Sequence, residues 1–354
     1  MLNQMHNFDE NCILRDCIKR IKMKKFALFA LLLGLITSCG DDDDIGLGGE
    51  LVPPRLLSEV LEENDEELQA FLQTHFYNYE EFDAPSTDFD FKIRIDTIAG
   101  ENSNKVPLLN QVETAVINVS STEFLGLEEE LDIPHTLYYL DVRSGTGEAA
   151  TIADSTFVRY EGLTLDLNAF DGSSEVPVWF DLAQLHSPQT SLNGKSFRGF
   201  AEGATRFKPG GEIVVNSDGT FTVEGYGIGA IFFPSGLGNF NNSGTFDAYS
   251  PLIFKIDLFT VNSADHDGDG VPSILEDRNM NNFLYDDNSD LDVEDSFGVV
   301  RIADFLDTDD DGDGVLTRTE ISDADGNIIL PYPDSDGDGT PDYLDVNILR
   351  DPNN

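Results

Sequence analysis

From Pro53 to about Phe76 the apolar residues Leu57, Val60, Leu61, Leu68, Phe71, Leu72 and Phe76 recur at spacings of three and four. With Pro54 suited to a first turn, the pattern predicts one amphipathic helix whose role is packing. Downstream the period shortens to two. "DFDFKIRID" alternates strictly and predicts a strand, and "TAVINVSSTEFLGL" a second. Beyond Thr136 strand signals are dense: "LYYLDVRSG", "FVRYEGLTLD", "VPVWFDL", "GEIVVNS", "TFTVEG" and "PLIFKIDLFTV" are β-branched or aromatic runs cut by turn residues. "GKSFRGFAEGATRF" instead suits a short helix. The economical architecture is α+β: an antiparallel sheet wrapped on a short helix, preceded by a helix-plus-strand segment.

Charge changes this picture at the C-terminal end. The formal net charge is −46, which repels phosphate and excludes nucleic acid as a partner recognised by charge, leaving cations. Ser263–Asn354 hold 26 Asp plus Glu against 4 Arg and no Lys, so this tail differs in kind from the body. The only cysteines are Cys12, Cys17 and Cys39, and the body therefore has no thiol for catalysis, disulfides or zinc.

At the other end Lys22, Lys24 and Lys25 precede an apolar run, Phe26 to Ile36, and then "ITSCG". This resembles a bacterial lipoprotein signal. The resemblance implies Met23 as the natural start, residues 1–38 as upstream extension and signal peptide, and Cys39 as the lipidated first residue of the mature protein. It implies anchoring to the outer membrane, facing the periplasm or the surface. A membrane-spanning helix fails on length, because so short a run cannot cross roughly 30 Å of hydrocarbon. Residues 39–50 form an acidic, glycine-rich tether that is similar to the surface-export signal of Bacteroidetes lipoproteins, or is a plain solubilising spacer. Residues 51–136 carry no chemical motif.

Within the strand-rich part, "VRYEG", "FDGSS", "FRGFAEGATRFKPGG", "YG" at Tyr226 and "SPLIFKIDL" follow in order over about Leu137 to Val261. Together they resemble the signature segments of FKBP-type peptidyl-prolyl isomerases. The resemblance implies an FKBP-like domain at 137–262 that turns proline-containing polypeptides without a cofactor. It places Tyr160, Phe170, Asp171, Phe180, Phe197, Phe200, Tyr226 and Phe254 at pocket or pocket-supporting positions. Phe200 replaces the usual tryptophan floor, Asp171 accepts a hydrogen bond from Tyr160, and Tyr226 donates to a substrate carbonyl. Val178, Ser196 and Asp247 depart from the family pattern. "YGIGAIFFPSGLGNFNNSGTF" reads as a long loop, in which Ile231, Phe232 and Phe233 are candidates for a replacement apolar wall.

The tail, residues 263–354, holds three twelve-residue segments with Asp at positions 1, 3 and 5, Gly at 6 and an acid at 12: "DHDGDGVPSILE", "DDDGDGVLTRTE" and "DSDGDGTPDYLD". That is calcium-loop spacing, because alternate carboxylates converge on one ion and the glycine permits the sharp turn. The expected ligands are Asp265, Asp267, Asp269 and Glu276; Asp309, Asp311, Asp313 and Glu320; and Asp334, Asp336, Asp338, Asp342 and Asp345. Pro272 and Pro341 fit short exiting turns rather than EF-hand helices. The segments resemble thrombospondin type 3 or dockerin-like aspartate repeats, which implies structural calcium. "DRNMNNFLYDDN" from Asp277 and "DADGN" from Asp323 read as degenerate loops. His135, His186 and His266 read as solvated loop residues.

Two functions follow as expectations. One is a lipid-anchored peptidyl-prolyl isomerase that assists folding of exported proteins and ends in calcium-binding repeats. The other is an inactive FKBP-like scaffold whose repeats serve calcium-dependent adhesion or spacing.

Overall fold

The computed structural model describes residues 53–352 apart from 128–131, 188–189 and 243, so the signal segment, Cys39 and the tether lie outside the described residues. The helical periodicity becomes α1, Leu57–Thr74, whose buried stripe is Leu57, Val60, Asn64, Leu68, Phe71 and Leu72. Next come β1 (His75–Tyr77), α2 (Tyr79–Asp83) and β2 (Ile95–Thr97), with β1 and β2 paired antiparallel. Most of "DFDFKIRID" is not strand. Phe91 takes φ 55°, which interrupts extended backbone, and its ring gathers instead with Phe89 and Phe82.

The main sheet is built from β3 (Glu113–Val119), β4 (Ile133–Arg143), β5 (Ser155–Thr164) and β6 (Ala169–Asp181). After α3 (Arg198–Ala204) and a small hairpin of β7 (Ile213–Val215) and β8 (Phe221–Val223), β9 (Gly227–Phe233) and β10 (Leu252–Asn262) complete it. Its order is β3-β4-β9-β10-β5-β6, and every neighbouring pair is antiparallel. This is a mixed α+β fold with flanking helices.

The loop expected after Tyr226 contains β9, which is buried along its whole length in the centre of the sheet. A strand covered on both faces shows no alternation, and its glycines hide it further. The glycines of α3 explain how the helix lies so close. A Cβ at Gly199 would sit 2.4 Å from the Phe233 ring, and one at Gly203 2.5 Å from Ile231. Of the proposed replacement wall, Ile231 and Phe233 face α3, while Phe232 lies in the cluster on the opposite face.

That opposite face is covered by the second half of α1, with Leu68, Phe71 and Leu72 against Tyr138, Phe232 and Ile253. Leu57 and Val60 join the α3 side. The tail contributes α4 (Leu291–Phe297), α5 (Thr317–Glu320) and several 3-10 turns. Its Phe283, Leu284, Ala303 and Phe305 enter the same hydrophobic cluster as α3 and the sheet.

Candidate functional site

Between the sheet, α3 and the loop after β9 lies a cavity of about 520 Å³. Strand alternation sends Tyr160 of β5 and Phe254 of β10 toward α3, whose Phe200 sits 5.3 Å from Phe254 and 4.8 Å from Phe180, ring centre to ring centre. Phe180 meets Tyr160 edge-on at 5.0 Å, and Phe170 meets Phe254 edge-on at 5.7 Å. Edge-to-face contacts of this kind fix ring orientation as well as burying area. At the mouth the Tyr160 hydroxyl donates to Asp171 Oδ2 at 2.8 Å, and Gly172 N–H donates to Asp171 Oδ1 at 2.8 Å. Burial, and then the neighbouring carboxylate, raise the Tyr160 pKa, so the phenol stays a donor.

Seven of the residues singled out from sequence therefore line one cavity: Tyr160, Phe170, Asp171, Phe180, Phe197, Phe200 and Phe254. Tyr226 is not among them. It precedes β9, lies against Phe259 at 4.7 Å and beneath the Arg143 guanidinium at 4.1 Å, and packs with the opposite-face cluster. The cavity wall is instead supplied by the loop after β9, with Asn239, Asn242, Thr245 and Phe246, whose ring is 4.6 Å from Phe170. Of the departures, Val178 packs partly buried against the α3-side core and Asp247 is exposed. Ser196 is buried, its N–H donating to Gln184 and its carbonyl accepting from His186 N–H.

A residue with no functional reading in sequence holds this loop in place. Asn64 of α1 is 3% exposed; its Oδ1 accepts from Ser235 N–H and Oγ at 2.8 and 2.7 Å, and its Nδ2 donates to Tyr249 O at 2.8 Å. The available signal was a polar residue on an otherwise apolar helical stripe. The histidines also differ from expectation. His135 is fully buried, His186 lines the cavity, and His266 bonds Ser273 and Asp181.

In the tail the three aspartate segments share one backbone design. The position 1 carboxylate accepts the N–H of Gly270, Gly314 or Gly339; position 3 accepts from position 5; and position 5 accepts from position 7. The loop from Asp277, read as degenerate, follows the same design. Asp277 accepts from Asn282 N–H, Asn279 from Asn281 and Asn281 from Phe283, with Met280 and Asn282 at φ 57° and 63° where the other loops have glycine. Short 3-10 or α turns follow the loops, at Ser273–Glu276, Thr317–Glu320 and Asp342–Leu344.

Four carboxylate groups among the described residues can in principle chelate a metal ion: Asp267, Asp269, Glu276 and Asp310; Asp290, Glu294 and Asp307; Asp309, Asp311 and Asp313; and Asp334, Asp336 and Asp338. Four of the expected residues, Asp265, Glu320, Asp342 and Asp345, stand apart. Asp265 accepts from Gly268 and Gly270, Asp342 accepts from Ser335 N–H and Oγ, and Asp345 accepts from Asn347. Glu320 is outside the third group, yet burial and then repulsion by Asp311 and Asp313 push its pKa up to about 9. Burial and repulsion by Asp267 and Asp269 do the same to Glu276, also to about 9. The second group was missed because Asp290 and Glu294 belong to the start of α4 whereas Asp307 lies well beyond its end.

Comparison with known proteins bears on these two regions separately. The family described as BamM C-terminal matches residues 266–333. This overturns the expected resemblance to thrombospondin type 3 repeats. The physical difference is that this segment carries an inserted helix and sends Phe283 and Phe305 into a shared hydrophobic core. No curated protein matches the chain. Solved structures give distant, partial likenesses to the isomerase fold. A peptidyl-prolyl cis-trans isomerase from Pseudomonas syringae pv. tomato has 20% identity and TM-score 0.27, over 36% of this chain and 75% of that one. FkpA from Escherichia coli has 18% identity and TM-score 0.30, over 58% and 63%. The N-terminal domain of FKBP42 from Arabidopsis thaliana has 11% identity and TM-score 0.27, over 38% and 98%.

Proposed function

We propose that the cavity binds proline-containing segments of exported polypeptides and catalyses their cis-trans isomerisation, in a chain lipid-anchored at Cys39 to the bacterial outer membrane. The observation that carries this is the ring-lined cavity with the Tyr160–Asp171 hydrogen bond at its mouth. An X-Pro bond rotates over a barrier of about 18–20 kcal/mol because amide resonance keeps it planar. The twisted state has lost that resonance and is less dipolar, so a dry aromatic site favours it over the planar ground state. Phe170, Phe180, Phe200 and Phe254 would hold the pyrrolidine ring, and the fixed Asp171 carboxylate would shape the field over the rotating amide. Such chemistry needs no nucleophile, metal or cofactor.

The acidic groups of the tail fit calcium by their chemistry: oxygen-only donors, several carboxylates to each group, and buried oxygens without a hydrogen-bond donor at Asp267, Asp269, Glu276, Asp311 and Glu320. Bound calcium would neutralise their mutual repulsion. Its role is structural, and no step of the isomerisation passes through it.

A second reading is favoured by the position of Tyr226: without its hydroxyl in the cavity, the site would bind proline segments as a scaffold and not turn them over. Proline-limited refolding of an unfolded substrate protein separates the two. Catalysis requires the calcium-loaded wild type to accelerate refolding, Asp171→Ala to lose about tenfold, equivalent to about 1.4 kcal/mol of barrier, and Tyr226→Phe to match the wild type. No acceleration by the wild type would leave the scaffold.

A further inference from the structure

Asp310 occupies position 2 of its own loop, a place from which the repeating pattern calls for no ligand. Its side chain leaves that loop and joins Asp267, Asp269 and Glu276 of the first one, with an oxygen from each of the four within 4.8 Å of the others. Asp310 is 1% exposed and Glu276 3%, and both oxygens of each lack a hydrogen-bond donor. Asp267 Oδ2 and Asp269 Oδ2 are buried and unpaired as well. The burial of several unpaired carboxylates together is tolerable only beside a positive charge. Among the described residues no Lys or Arg forms an ion pair with any of the four; Arg318 acts on Asp269 without pairing with it. All four donors are carboxylate oxygens, the kind of ligand that calcium takes.

We propose that Asp310 is a ligand of the first loop's cation, so that one divalent ion ties residues 265–276 to residues 309–320. This rests on the reading that the tail binds calcium and assigns a partner to that site across the chain. The first loop also touches the body of the protein: His266, between Asp265 and Asp267, has Nε2 3.1 Å from the Asp181 carboxylate at the end of β6. The shared ion therefore fixes two loops to each other beside the strand that carries Phe180. Position 1 of the first loop, Asp265, is free to hold the turn through Gly268 and Gly270.

The test uses the full mature chain in three forms: wild type, Asp310→Asn, and Asp292→Asn, which removes an equal but exposed charge outside every group. Calcium is titrated calorimetrically, and amide hydrogen exchange is followed with calcium and with chelator. Asp310→Asn should weaken one site about tenfold or more and should lose calcium-dependent protection in 265–276. Asp292→Asn should keep both. Without calcium, Asp310→Asn should melt no lower than the wild type, because it removes an unpaired buried charge; that result shows that the variant folds. If the exchange loss falls only in 309–320, or if all sites keep their affinity, Asp310 serves no cation of the first loop. If the wild type itself binds no calcium, the underlying reading fails instead.

Discussion

The ring-lined cavity and the acidic tail bury polar groups on opposite terms. In the cavity no lining side chain leaves a buried polar atom unpaired, and the Tyr160–Asp171 pair at the mouth is satisfied by the chain itself. In the tail Glu276, Asp310, Asp311 and Glu320 are buried with oxygens that no donor meets. An unpaired buried charge costs far more than an unpaired buried hydroxyl. The cavity is thus satisfied by protein groups alone, whereas the tail holds buried carboxylate oxygens that the chain's own donors leave unmet and that could in principle hold a metal ion. Both regions nevertheless share one hydrophobic cluster through Phe283 and Phe305, so the state of one bears on the other.

The largest expected effect comes from removing cations. Each site loaded at about one hundred times its Kd stabilises the folded state by about 2.7 kcal/mol, so chelation should lower the melting temperature steeply and open 265–345 to protease before the sheet. Equal melting with and without calcium would erase the contrast between the regions.

With calcium held constant, Phe200→Ala should cost about 3–5 kcal/mol in denaturant unfolding, since the ring is 1% exposed and braced by Phe180 and Phe254. A loss below about 1 kcal/mol would mean that the site collapses freely and that its rings are not a rigid frame.

A third, smaller effect separates acid sensitivity of the core from that of the carboxylates. Burial moves the His135 pKa from 6.5 down to about 4. The unfolded chain then takes up the proton more readily than the folded one. Stability from this group is full above pH 6.5 and is lost as pH falls toward 4, by up to about 3 kcal/mol. His135→Gln should flatten that part of the stability profile between pH 6.5 and 4. An unchanged profile would place the acid sensitivity elsewhere.

Much of this was legible in the chain, and the rest was hidden for definable reasons. Tyr160, Phe180 and Phe254 were legible only through the resemblance of their segments to FKBP signatures, and strand alternation is what turns them to one face in the fold. Strand β9 could not be read, since a central strand covered on both faces shows no alternation and its glycines at 227 and 229 break the run of bulky residues. The cavity-facing part of the segment begins after this strand, with Asn239 and Asn242, and Tyr226, placed in the pocket by the family resemblance, lies before it and outside the cavity. The first turn of each calcium-type loop was visible from Asp and Gly spacing. The cross-loop position of Asp310, and the joining of Asp290 and Glu294 at the start of α4 to Asp307 beyond it, depend on tertiary packing and leave no period in the sequence.

The central claim, that the ring-lined cavity turns X-Pro bonds, is tested most directly by exchange NMR of a short Phe-Pro peptide with substoichiometric, calcium-loaded protein. The expected result is exchange between cis and trans resonances on the millisecond-to-second scale, abolished in Phe200→Ala provided that variant remains folded. Resonances that broaden on binding while cis and trans still interconvert over tens of seconds would contradict the claim and mark the cavity as a binding site alone.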